Sequence, residues 1–115
     1  MKAKSTVSLS GCSFYIGYAA AVIEAAYVNI GVDFVLTSAR DSIHGTGSLH
    51  YTGNAIDART RHLTKTQGDT ILAVIKAELE PLGFDVIDER GKTGAPHFHV
   101  EFQPKLGEKF IETVP

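Results

Sequence analysis

The alternation of apolar and polar positions divides this chain into short elements. "FYIGYAAAVIEAAYVN", from Phe14 to Asn29, is apolar around much of its circumference, which predicts a packed helix rather than a surface one. Ser13 is placed to cap its start, and Gly31 suits the position that ends it. "VDFVLTSA" then reads as a strand. The pattern breaks over residues 40–54, "RDSIHGTGSLHYTGN", where glycine, serine and threonine predict a long loop of the kind that carries function in compact domains. "AIDAR" predicts a short strand. Thr64 or Thr66 opens a second helix through "TQGDTILAVIKAELEPLG", with Ile71, Leu72, Ile75 and Leu79 on one face. Gly83 ends that helix, with Pro81 near its last turn. "FDVID" is a third strand, "ERGKTGAP" a turn or hairpin loop, and "HFHVEF" a fourth strand closed by Pro104. Residues 1–12 read as an extended or frayed arm, and residues 104–115 as a tail that could add an edge strand. The order predicts an α+β fold: a small, mostly antiparallel sheet with helices packed on one side. The short connection between the last two strands makes them antiparallel neighbours.

Composition narrows this without changing it. The 115 residues make one domain, 43% hydrophobic and 21% charged, as in ordinary soluble proteins. A net charge of −2 argues against a nucleic-acid binder, which would carry a basic face. The single Cys12 forms no internal disulfide and reads as a small packing residue. "LSGC" at Leu9–Cys12 has the shape of a lipoprotein cleavage box, but "MKAKSTVS" before it lacks the apolar run that such a signal needs. "YAAAVIEAAYVNI" is too short for a membrane span and carries Glu24. The expectation is a monomer, cytoplasmic as synthesised, with no export signal and no membrane partner.

The chemistry lies in two stretches. In "HFHVEF", alternation puts His97, His99 and Glu101 on one face, and Phe98, Val100 and Phe102 on the core face. In "SLHYTGNAIDART", His50 and Asp57 are seven residues apart, so in one straight strand they would point oppositely. Gly53 and Asn54 supply a turn that lets them converge. Ile56 then faces the core and Asp57 the other side. His50, Asp57 and one of the two histidines of "HFH" would make a His₂Asp set, which suits a catalytic zinc with an open position for water. Such hydrolysis also needs a base and an oxyanion partner. Asp88 and Glu89 in "DVIDER" are candidates for the first, and Arg40 for the second. His44 and His62 read as solvated loop residues, and Tyr51 either covers the metal or packs.

"SLHYTGNAID" resembles the S-x-H-x-x-G-x-A-x-D signature of the zinc D-Ala-D-Ala carboxypeptidase and L-alanyl-D-glutamate peptidase family. It is similar also to the corresponding segment of the hedgehog signalling domain, which shares that fold. "LGFDVIDE" followed by "PHFHV" resembles the same family's second half, so the resemblance runs from about Val32 to Phe102. It implies a hedgehog/DD-peptidase-like fold and Zn²⁺ held by His50, Asp57 and His99. It also implies His97 as the histidine that stabilises the transition state, and Arg40 as a contact to substrate carboxylate or carbonyl. Many members place their catalytic acid three residues before the last ligand; that position here is Pro96. The hedgehog-like arrangement puts a glutamate at the end of the preceding strand, which points first to Glu89, then Asp88, then Glu101. The implied function is a metallopeptidase acting on peptidoglycan stem peptides, as a D,D-carboxypeptidase or as an L-alanyl-D-glutamate or D,D-endopeptidase. A single catalytic domain without an export signal resembles a phage- or virus-encoded lysis enzyme, acting on the wall after release or as part of a virion. The rival expectation is a catalytically inactive, zinc-stabilised binding or virion domain of the same fold.

Overall fold

The structure, a computed structural model, describes residues 1–5, 7, 9, 12–39, 54–92 and 94–103. The elements run β1 (Lys2–Ala3), α1 (Phe14–Val28), β2 (Val35–Ser38), β3 (Ala55–Arg59), α2 (Lys65–Leu79), a 3₁₀ turn (Glu80–Leu82), β4 (Phe84–Asp88) and β5 (His97–Phe102). The expected loop up to Gly53, and the tail with Pro104, lie outside the described residues.

Both helices begin where the sequence supplies an oxygen for their unpaired amides. The Ser13 side chain accepts from the Ile16 N–H at 3.4 Å. At α2, of the two threonines considered, Thr64 is the cap. Its hydroxyl accepts from the Gln67 N–H at 3.1 Å, and the Gln67 side chain accepts from the Thr64 N–H at 3.0 Å, a reciprocal capping box. Pro81 sits in the 3₁₀ turn that follows, and Gly83, with φ of 96°, takes the left-handed conformation that releases the chain into β4.

The sheet order is β1-β2-β3-β5-β4. β3 is antiparallel to β2 and to β5, and β4 to β5, but β1 runs parallel to β2. The sheet is therefore mixed, a correction to the mostly antiparallel expectation. The N-terminal arm is in part a strand. Pairing along the open edge of β2 uses main-chain groups, so it leaves no apolar pattern in the sequence. The Lys2 N–H donates to the Phe34 carbonyl at 2.8 Å and the Lys4 N–H to the Leu36 carbonyl at 3.0 Å. The N-terminal ammonium meets Glu24, and Lys2 pairs with Asp33.

One core cluster joins both helices to one face of the sheet. Ile16, Ile23 and Tyr27 of α1 and Ile71, Ile75 and Leu79 of α2 pack with Leu36, Ile56, Ala58, Phe84, Val86, Phe98 and Val100. The Tyr27 hydroxyl donates to the Arg59 carbonyl at 2.8 Å, and burial pushes its phenol well above the usual range. Phe98 is fully buried, with the Arg90 guanidinium 5.2 Å from its ring centre. The opposite face carries, among the described residues, Asp57, Arg59, Asp85, His97, His99 and Glu101, with Ile87 exposed beside them and Ala55 buried. Among the described residues, no helix is long and apolar enough to cross a membrane.

Candidate functional site

β3 and β5 are direct neighbours, with Asp57 opposite His99 and Arg59 opposite His97. Directly opposed residues of an antiparallel pair project to the same face. Because Phe98 and Val100 are in the core, His97, His99 and Glu101 stand on the other side with Asp57 and Arg59. All four of Asp57, His97, His99 and Glu101 are largely covered, the most open being His97, with 27% of its side chain exposed. At the other border of β3 the register slips. Leu36 faces Ala58 and Ser38 faces Asp57, so Thr37 is an extra residue bulged beside Asp57.

The contacts concentrate on His99. Its Nδ1 lies 2.8 Å from Asp57 Oδ1, and its Nε2 lies 2.9 Å from Glu101 Oε1. A neutral imidazole carries one N–H, so it can satisfy only one of these acceptors as a donor. With both acids ionised, the two contacts are both hydrogen bonds only when the ring is an imidazolium. Burial lowers the His99 pKa, but the hydrogen bonds and charges of Asp57 and Glu101 outweigh it, and the net direction is upward from the usual value. Glu101 is held in turn: the Gln103 amide, oriented with its nitrogen towards the acids, donates to Glu101 Oε2 at 3.0 Å and to Asp85 Oδ2 at 3.3 Å. His97 Nδ1 donates to the Ala95 carbonyl at 2.8 Å, which leaves Nε2 directed towards the site, 3.8 Å from Asp57 Oδ1.

The donor set fits a metal in its chemistry. A carboxylate and an imidazole from adjacent strands converge, and a second carboxylate on the far imidazole nitrogen is the arrangement that fixes the tautomer of a metal-ligating histidine. The expected third ligand, His50, lies outside the described residues, as do Arg40, His44 and Tyr51. Among the described residues, no group of three or more His, Cys, Asp or Glu side chains could hold a metal.

The three acids considered as base separate on geometry. Asp88 opposes Phe98 and so belongs to the helix side of the sheet. Both its oxygens are taken by Arg90, at 2.9 Å from Nε and 2.8 Å from Nη2, and these hydrogen bonds hold its carboxyl below the usual range. Glu101 is engaged with His99 and Gln103. The Glu89 N–H donates to the His97 carbonyl at 3.0 Å, which continues the β4–β5 ladder and directs Glu89 to the histidine side. His62 plays no part here; its Nε2 donates to the Asp33 carbonyl at 2.7 Å.

Beside this cluster is a cleft of about 430 Å³, lined among the described residues by Lys4, Thr37, Asp57, Arg59, Arg61, Ala95, Pro96 and His97. The sequence reading passed over its three cations. Arg59 was within reach of the alternation argument, two positions after Asp57 on the same strand face. Lys4 arrives through the parallel pairing of β1, which the sequence does not signal.

Comparison with family models, with curated proteins and with solved structures produced no match.

Proposed function

We propose that this chain is a zinc-dependent peptidase with a hedgehog/DD-peptidase-like fold, and that it hydrolyses a peptide bond in bacterial peptidoglycan stem peptides, as a phage-type lysis enzyme would. The observation that carries the hydrolytic part is His99, set between Asp57 and Glu101, with His97 and Glu89 on the same side of the sheet. The peptidoglycan part rests on the resemblance of "SLHYTGNAID" and "PHFHV".

His50, Asp57 and His99 would hold the metal, which when bound supplies Lewis acidity to water and to the scissile carbonyl. Asp57 contributes charge, and Glu101 fixes the His99 ring by its contact to Nε2. Glu89 takes the proton from the attacking water and returns it to the departing amine. His97 faces the developing oxyanion with Nε2. Since its Nδ1–H is committed to the Ala95 carbonyl, Nε2 donates only when the ring carries both protons. Arg40 would hold a substrate carboxylate or the polarised carbonyl.

The test is digestion of purified peptidoglycan by the zinc-loaded protein, with mass analysis of the released fragments, with and without chelator. Chelator-sensitive release of peptides with new termini is expected, and Glu89→Gln is expected to abolish it. Walls left intact by zinc-loaded protein would remove the enzymatic reading. That result would favour the rival, a zinc-stabilised binding or virion domain, which is motivated by Pro96 at the family's usual acid position.

A further inference from the structure

The cleft beside the histidine cluster has a charge pattern that the proposed hydrolysis does not use. Lys4 comes from the chain just after β1, Arg59 from the end of β3, and Arg61 from the turn beyond it. None of the three side chains makes a hydrogen bond or ion pair with another described residue, whereas Lys2, Lys65, Lys76 and Arg90 each have a carboxylate partner. Arg59 and Arg61 are consecutive odd positions flanking Thr60, whose side chain is buried and whose N–H donates to the Pro96 carbonyl at 3.3 Å. That hydrogen bond ties the arginine segment to the chain leading into His97. Among the described residues, the lone acid on the lining is Asp57, which is already engaged with His99. A cleft whose cations lack partners among the described residues, and which ends at Asp57 and His97, is complementary to an anion attached to whatever reaches the histidines.

We infer that Lys4, Arg59 and Arg61 form a carboxylate-binding subsite, which holds a free carboxylate of the peptide substrate on the His97 side of the cluster. This inference rests on the peptidase reading for the nature of the ligand, and it names residues distinct from Arg40. Two guanidinium groups suit a carboxylate because each presents parallel N–H donors that match its two oxygens. The volume of about 430 Å³ accommodates a short peptide segment. Its three cations come from two chain segments, Lys4 from one and Arg59 with Arg61 from the other, so the subsite would read the charge of the group next to the scissile bond.

Binding of N-acetyl-D-alanyl-D-alanine and of its C-terminal amide to the zinc-loaded protein, by calorimetry or NMR titration, tests this without turnover. The free acid is expected to bind at least about tenfold more tightly than the amide. Arg59→Gln with Arg61→Gln should abolish that preference, and Arg59→Lys with Arg61→Lys should retain part of it. Equal binding of acid and amide by the unaltered protein would overturn the inference, as would an unchanged preference in the folded double glutamine variant. The outcome separates from that of the peptidase reading. Acid-selective binding without cleavage of any wall keeps the subsite and removes the enzyme. Cleavage without acid selectivity does the reverse.

Discussion

Two carboxylates on one imidazole make His99 respond to protons in a definable direction. Its pKa in the folded, metal-free protein is raised above the ordinary 6.5. The stabilisation it contributes is therefore fully present below pH 6.5 and is lost as pH rises through the raised value. The melting temperature of the metal-free protein is expected to fall over that interval, and His99→Gln should flatten the fall. Thermal unfolding at a series of pH values in the presence of chelator checks this. Glu101 invites a second prediction. If its contact to Nε2 orients the ring, Glu101→Gln should weaken zinc affinity by roughly 10- to 100-fold while leaving the fold intact. Competition against a chromophoric chelator measures this, and an unchanged affinity would show that Glu101 does not orient His99.

At the scale of elements, the strands and helices divide the work between two sides of one sheet. Thr64 closes a reciprocal cap on α2, so Thr64→Ala should cost about 1 kcal/mol, read as a lowered denaturation midpoint. Phe98 is fully buried between His97 and His99 in sequence, and Phe98→Ala should cost about 3–5 kcal/mol, several times the loss at the cap. Much of this was legible in the sequence because the periods are local. The "HFHVEF" alternation separated the core face from the polar face, "AIDAR" was bounded correctly, Ser13 announced its helix, and Thr64 was one of two candidate caps for the other. What was not legible depends on partners distant in the chain. The parallel β1–β2 edge is made of main-chain hydrogen bonds, and the bulge at Thr37 appears only once β2 lies beside β3. Asp88 is the exception to distance: Arg90, only two residues on, holds both its oxygens, whereas alternation says only that Asp88 and Glu89 face opposite ways. The convergence was half legible in the same sense: residue types pointed to Asp57 and one of the two "HFH" histidines, the resemblance pointed to His99, and neither showed the Glu101–Gln103–Asp85 contacts behind them.

For the whole molecule, one side of the sheet holds the fold with both helices, and the other side carries a histidine–carboxylate cluster next to a cationic cleft. The partition predicts that polar-face substitutions such as His97→Gln change stability little while removing whatever activity the cluster has. The most direct test of the account is zinc uptake by protein first stripped of metal, measured by metal analysis after dialysis. About one zinc per chain is expected, lost in Asp57→Asn and in His99→Ala and retained in Glu89→Gln. Wild-type protein that takes up no zinc, or His99→Ala that binds it as well as the wild type, would contradict the account.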